Sequence, residues 1–337
     1  MNTSTLKQGV TASIIVPCYN EENTIQLMLE AICKQNFPIS EIEVVISDAM
    51  STDQTRKKIQ EFSNFHKQLR ILVVDNPPRT IPAGVNTAAM AASGEILIRM
   101  DAHSVPSPAY VQLCIDLLRK NVADNIGGIW KIKPGDNTCI AKAIAKAASH
   151  LLGAGGAKYR VTSNAQYVDT VPFGAFFKDR FVKIGMLNEA LLANEDYEFN
   201  ARLIADGGKI WLDPKIQSIY YARKDLLALS KQYWRYGFWK YKMLRKFPNT
   251  LRWRQAIPPV FVSVTILLSM FSVFSPQCRF LLGVGLSFYL LVLFLAGLYE
   301  TIHEEEKCFI LMPFAIITIH FSWGLGFIYS FMKKNKS

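Results

Sequence analysis

From about Ala256 onward the chain is dominated by Leu, Ile, Val, Phe, Gly and Ser, gathered in three apolar runs at about 256–275, 280–299 and 309–332. Each run is near the ~20 residues that a helix needs to cross a bilayer core. Core helices of a soluble domain rarely reach that length without a charge, so a chain of this kind must join a soluble part to a membrane-associated part. The switch falls at Ile257-Pro258-Pro259, while residues 1–225 have the make-up of an ordinary α/β protein. We therefore expect a soluble domain over 1–225, a basic, aromatic, interfacial segment over 226–254, and a membrane domain over 255–337 with two or three hydrophobic helices. The short 276–279 connection makes the first two runs a hairpin. Three full crossings from a cytoplasmic first domain would leave Lys333, Lys334 and Lys336 outside, against the positive-inside tendency. One run is interfacial or re-entrant, or that tendency is broken.

The formal net charge of +11 suits nucleic acid, anionic lipid or phosphorylated substrates. Its position narrows the choice. Between Arg223 and Arg254 there are ten Lys or Arg residues against one acid, Asp225, interleaved with Tyr233, Trp234, Tyr236, Phe238, Trp239 and Tyr241. Basic residues mixed with Trp and Tyr beside an apolar segment favour lipid headgroups on the cytoplasmic side, with a solvated basic helix as the alternative. No nucleic-acid motif accompanies the charge. The six cysteines (18, 33, 114, 139, 278 and 308) show no metal or redox spacing and read as buried, reduced side chains. The N-terminal MNTSTLKQGV has no apolar leader, so the first domain is expected to remain cytoplasmic, attached to the cell (inner) membrane.

Residues 12–18 (ASIIVPC), 43–47 (EVVIS), 70–74 (RILVV) and 96–100 (ILIRM) read as strands, separated by helical patterns after Asn20, over 51–62 and over 83–92. This alternation predicts an α/β fold with a mainly parallel sheet and a ligand crevice at the strands' C-terminal ends. Beyond it come Gly127–Lys133, an Ala-rich helix near 138–151, a glycine loop at 153–156, and a strand at 209–212.

Asp48 ends the second strand and opens DAMSTDQT. There it can accept from a nucleotide base, while Ser51 or Asp53 caps the next helix. Asp101-Ala102-His103 directly follows the fourth strand. Two ligands one residue apart can set a divalent ion against a diphosphate, Mg2+ by the carboxylate and more toward Mn2+ by the imidazole. An ordinary hydrogen-bonded role for His103 is the alternative. In LLANEDYEFNARL, Glu195 complements a helix N-terminus, and Asp196, or Glu198 a turn away, can serve as general base. Gln232 and Arg235 share a helical face in the basic stretch, where Arg235 meets either a diphosphate or lipid headgroups.

In this order, SIIVPCYNEE, DAMSTD, NTAAMAASGE leading to RMDAHS, and NEDYEFNARL resemble the inverting glycosyltransferase family 2 over roughly residues 12–240. Gly155-Gly156-Ala157-Lys158-Tyr159-Arg160, VDTVPFG and QYWRYG resemble its succinoglycan-biosynthesis subgroup. The resemblance implies a GT-A fold and a nucleotide-sugar donor, a UDP-sugar by preference. It implies that Pro17, Tyr19 and Glu21 line the nucleotide pocket and that Asp48 contacts the base. Asp101 and His103 would form the metal motif, Asp196 the base, and Gln232 and Arg235 the family's QxxRW-like element. A lipid-linked glycan acceptor in exopolysaccharide or cell-surface glycan synthesis is expected, with membrane lipids as partners and no nucleic acid. Ala49 and Met50 stand where Asp and Gly are common, His103 replaces the second Asp of DxD, and Tyr236 replaces the Trp of processive enzymes. Those departures keep open a second reading, an inactive membrane scaffold of a polysaccharide assembly.

Overall fold

The structure, a computed structural model, describes residues 9–155, 157–248 and 253–333. Gly156, Arg252, Lys334, Lys336 and the first eight residues, all used in the sequence reading, lie outside the described residues. By its contacts the chain divides into two compact units, one built from Met1–Lys131 and Thr162–Tyr220, the other from Ile132–Val161 and Tyr221–Ser337.

The first unit begins with the expected alternation: β1 (Ala12–Cys18), α1 (Ile25–Cys33), β2 (Ile42–Asp48), α2 (Thr55–Phe65), β3 (Arg70–Asp75), α3 (Ile81–Ala91) and β4 (Ile96–Arg99). The four strands lie side by side in the order β3-β2-β1-β4, all parallel. β2 is buried along its whole length, as a strand covered on both faces must be. Helix α1 covers the sheet with Ile25, Met28, Leu29 and Ile32, one apolar stripe at helical spacing. Beyond β4 come β5 (Val105–Pro106), α4 (Tyr110–Arg119), β6 (Asn125–Lys133), β7 (Gln166–Tyr167), β8 (Ala175–Phe177), α8 (Lys178–Lys183), α9 (Glu195–Ala205) and β9 (Ile210–Tyr221), where α8 and α9 follow three helices of the second unit. β8 pairs antiparallel with β4 and β6, and β5 and β7 pair antiparallel with β9.

Two boundaries differ from the sequence pattern. Helix α2 starts four residues later than expected, because Ser51 and Asp53 are drawn into side-chain hydrogen bonds with the chain around them. Strand β9 runs on through Pro214 to Tyr221, longer than the four residues expected, since proline is tolerated at sheet edges and irregular positions.

The second unit is helical: α5 (Cys139–Ser149), α6 (Leu151–Ala154), α7 (Lys158–Val161), α10 (Leu226–Lys246), α11 (Trp253–Phe271), α12 (Pro276–His303) and α13 (Met312–Met332). Three of its stretches, Trp253–Phe271, Pro276–His303 and Lys307–Met332, are long and apolar enough to cross a membrane by length and composition. Ser275 caps α12 by accepting from the Cys278 amide, closing the expected hairpin with α11. The glycine loop is helix-closing structure. A Cβ on Gly153 would sit 2.1 Å from the Ala147 carbonyl, and Gly155 ends α6 at φ +57°. The expectation of six reduced cysteines is corrected: Cys139 and Cys308 form a disulfide, with Cα atoms 4.7 Å apart. Their 169-residue separation left no spacing signal to read. Cys18 and Cys114 are buried as free thiols, whereas Cys33 and Cys278 are only partly buried.

Candidate active site

The parallel register sets Cys18, Asp48 and Asp75 in a row at the C-terminal ends of β1, β2 and β3. Each strand there delivers a loop, and two of the loops are stitched together. The Asn20 amide donates to Ser51 Oγ (2.9 Å), and the Thr52 amide donates to Asn20 Oδ1 (2.9 Å). The Glu21 amide donates to Thr55 Oγ1 (2.8 Å), and the Gln54 amide to Glu22 Oε2 (2.9 Å). The YNEE and DAMSTDQT motifs therefore form one rim. Asn20 and Met50 turn it with φ of +52° and +60°. An Asn adopts that region readily, but Met50 does so under strain that a glycine would not feel.

Asp48 is fully buried at this rim. It accepts from the Ser51 amide (3.0 Å) and hydroxyl, and from Arg56 Nε (2.6 Å). Arg56 reaches on to Asp75 (2.5 Å), and those hydrogen bonds, first to Asp75 and then to Asp48, raise its pKa. Arg56 was not singled out in the sequence, because its partners lie on two strand ends that only the fold aligns. Pro17 is partly buried, and Tyr19 is half exposed at the mouth of the same rim.

After β4 the chain turns tightly, with the Ser104 amide and hydroxyl both donating to the Asp101 carbonyl (3.0 and 2.7 Å). This turn carries Asp101 and His103. His103 Nδ1 lies 2.9 Å from Glu21 Oε1, and Thr24 Oγ1 donates to the other Glu21 oxygen (2.5 Å). A carboxylate on Nδ1 favours the tautomer with the ring proton there, the arrangement usual behind a metal-ligating histidine. Among the described residues no group of three His, Cys, Asp or Glu side chains is placed to hold a metal ion by itself. Asp101 and His103 supply donor types that a divalent ion accepts, and phosphate and water oxygens would have to complete its shell.

Arg99, buried at the end of β4, brings the DAH turn to the start of α9. Its Nη2 lies 3.2 Å from Glu195 Oε1 and 3.7 Å from Asp101 Oδ1. Burial opposes its charge, but Asp101, Glu195 and Asp196 together outweigh burial and raise its pKa. Burial pushes the Glu195 carboxyl up, against the pull of Arg99 and helped by Asp196 and Asp101. Asp196 is half-buried, accepts from the Tyr197 amide (2.8 Å), and lines a small cavity with Arg99, Asn125, Phe173 and Asn200. Glu198 instead grips Arg202 through both oxygens (2.9 Å each), and Arg202 is anchored on the Ile184 and Met186 carbonyls. Its carboxylate is committed to holding the chain before α9. Arg99 is the residue that sequence reasoning missed here. It hides in the apolar ILIRM run, and its Glu195 partner is 96 positions away.

Gln232 and Arg235 belong to α10 in the helical unit. Gln232 accepts from Arg223 Nε (3.3 Å) and donates to Tyr236 OH (2.9 Å), while Arg235 is exposed. In the same unit Arg160 donates to Tyr233 OH (3.1 Å), so the AKYR and QYWRYG segments meet.

Comparison with known proteins gives a consistent result. The sequence model of Glycosyl transferase family 2 matches residues 13–181. The succinoglycan biosynthesis protein ExoA of Rhizobium meliloti is 26% identical over 95% of this chain and 94% of its own length. A dolichyl N-acetyl-α-D-glucosaminyl phosphate diacetamido-dideoxy-glucuronosyltransferase of Methanococcus voltae is 25% identical over 96% of this chain and 98% of its own. Among solved structures, the mannosyltransferase PcManGT of Pyrobaculum calidifontis, in complex with GDP-Man and Mn2+, superposes with a TM-score of 0.66. It is 16% identical, over 96% of this chain and 88% of that one. S. aureus TarS 1–349 in complex with UDP-GlcNAc gives 0.53 at 17% identity, over 97% and 93%. These likenesses show the GT-A fold.

Proposed function

The chain belongs to glycosyltransferase family 2 and is a glycosyltransferase, and from that premise we propose that it is an inverting enzyme. It moves a sugar from a nucleotide-diphosphate donor, a UDP-sugar, to a membrane-lipid-linked or glycan acceptor in exopolysaccharide or cell-surface glycan synthesis. The observation that carries this reading is the Arg99 cluster, where one buried cation sits among Asp101, Glu195 and Asp196. Two relatives support the acceptor class by their names, one a succinoglycan biosynthesis protein, the other a transferase to a dolichyl-phosphate-linked sugar.

The chemistry divides among the chain's own groups. Asp48 takes the nucleotide base at the rim, with Pro17, Tyr19 and Glu21 lining the pocket around it. A divalent ion, Mn2+ or Mg2+, held by Asp101 and His103 would neutralise the departing diphosphate. Asp196 accepts the proton of the acceptor hydroxyl as that oxygen bonds to the anomeric carbon from the face opposite the leaving group. The bond from that carbon to the diphosphate oxygen breaks, and the configuration inverts. Arg99 offsets part of the repulsion among three carboxylates, so Asp196 can stand close to the metal-binding turn. We place this unit on the cytoplasmic side of the cell membrane, because the basic stretch flanks the apolar helices.

Purified protein should release nucleoside diphosphate from a nucleotide sugar only when a divalent ion is present. Asp196→Asn should lower turnover by about 10²–10⁴-fold, the range for loss of a positioned base. Wild-type turnover in both Asp196→Asn and Asp101→Ala would overturn the assignment. A protein binding no nucleotide sugar with or without metal would be the scaffold instead.

A further inference from the structure

What α13 touches decides where it can lie. It runs alongside α10 in the same direction: Ser230 and Ser322 hydroxyls are 2.9 Å apart, Trp234 packs on Tyr329, and Tyr241 packs on both Phe327 and Phe331. The approach is backbone to backbone. A Cβ on Gly237 would be 2.1 Å from the Trp323 carbonyl, and one on Gly326 would be 2.3 Å from that of Trp234. Helix α10 meanwhile exposes Lys231, Arg235, Arg245 and Lys246. Unpaired cations of that number are not carried into hydrocarbon.

The first half of α13 is covered by α5. Met312, Ala315, Ile316 and Ile319 cluster with Ile144 and Ala147. Helix α5 is itself charged, with Lys142 paired to Glu306 (2.9 Å) and Lys146 to Glu300 (2.8 Å) and Glu304. The last turn of α12 is thus tied to the same charged level. Both halves of α13 lie against these elements, which belong to water or headgroups. Helix α13 also meets the inner ends of α11 and α12, where Phe261 packs on Phe321, Tyr289 OH lies 3.0 Å from His320 Nδ1 and Leu293 joins the Met312 cluster.

Beyond those contacts, which bury Val262 and Leu293, the other two apolar helices are largely uncovered. Val260, Leu267 and Met270 of α11, and Phe280, Phe288 and Leu291 of α12, are all more than half exposed. The 19 residues of α11 make a rod of about 28 Å, close to the ~30 Å of a hydrocarbon core.

We propose that the α11–α12 hairpin is the only described part of the chain that enters the hydrocarbon of a lipid bilayer. On this arrangement α13 stays on α10 at the bilayer surface, and Lys333 lies on the same side as α5. It also removes the conflict seen in the sequence, since the basic residues at both ends of the helical unit remain together on one side. The inference concerns the membrane only, and it stands or falls independently of the catalytic reading.

Variants of the full chain with one added cysteine, made with Cys33→Ser and Cys278→Ser so that the native cysteines left are buried or disulfide-bonded, test it in sealed vesicles of one orientation with a membrane-impermeant maleimide. Lys133→Cys, Lys333→Cys and Val273→Cys all replace exposed side chains. Lys133→Cys and Lys333→Cys should react from the same side, and Val273→Cys at the hairpin tip should not react from that side until detergent is added. Reaction of Lys333→Cys only from the opposite side means that α13 crosses, and overturns the proposal. Reaction of Val273→Cys alongside the other two means that the hairpin does not enter, and overturns it equally.

Discussion

Glu21 shows how much a single side chain of a short motif can be asked to do. Its amide ties the first loop to Thr55, and its carboxylate holds Thr24 with one oxygen and His103 with the other. Sequence reading put it in the nucleotide pocket, whereas its geometry fits the orientation of a metal-binding imidazole. Removing a carboxylate behind a ligating histidine typically costs 10–100-fold in metal affinity. Glu21→Gln should therefore weaken Mn2+ binding by roughly that factor, read by electron paramagnetic resonance of the free ion with no donor present. Unchanged Mn2+ affinity would mean that His103 is not a ligand or needs no orientation. At this scale the sequence exposed residues that stand in recognisable runs, such as Asp48, Asp101 and Asp196. It concealed Arg56 and Arg99, whose meaning depends on carboxylates brought close by the sheet.

Between strands, one buried carboxylate does the joining. Glu43 of β2 accepts from Ser13 Oγ of β1 (2.6 Å) and from the Ser93 amide (2.5 Å) and hydroxyl (2.7 Å) just before β4. Burial works against its charge, but these hydrogen bonds and Arg70 overcome it and hold the carboxyl below its ordinary value of 4.5. A carboxyl depressed in the folded state supplies stability above its unfolded pKa, and that stability is lost as pH falls through the lower folded value. Urea unfolding followed from neutral pH downward should show wild-type stability falling below about pH 4.5. Glu43→Gln should be less stable at neutrality and flatter through that acid window. An unchanged acid slope would remove Glu43 from the account. The helical unit has its own sensitive point at the α10–α13 contact. Gly326→Val must force the helices apart against the Trp234 carbonyl and should cost about 1–3 kcal/mol, seen as a lower thermal midpoint in detergent. Helices and parallel strands were legible because periodicity is local. The α10–α13 pairing was not, since a glycine in an aromatic helix looks the same whether or not a backbone lies against it.

For the molecule as a whole, charge and sulfur point to different compartments. The basic flanks of the apolar helices favour the cytoplasm, while a Cys139–Cys308 disulfide favours an oxidising space. Labelling of Lys133→Cys in intact cells weighs them directly. Protection until the cells are opened supports the cytoplasmic placement, and ready labelling from outside overturns it. The composition change near residue 257 marked the helices that are long and apolar enough to cross a membrane, but nothing in the sequence announced that an internal stretch is folded with the tail.

That internal stretch changes how the protein can be taken apart. Ile132–Val161 leaves the sheet unit at the end of β6, packs in the helical unit, and returns before β7, so the peptide chain passes between the units three times. Stopping translation after β9 would yield no clean soluble enzyme. The shortened product would display Ile144, Ala145 and Ala147 stripped of the α13 side chains that cover them, a sticky loop hanging from an otherwise finished fold. A workable soluble fragment would have to replace residues 132–161 with a short linker as well.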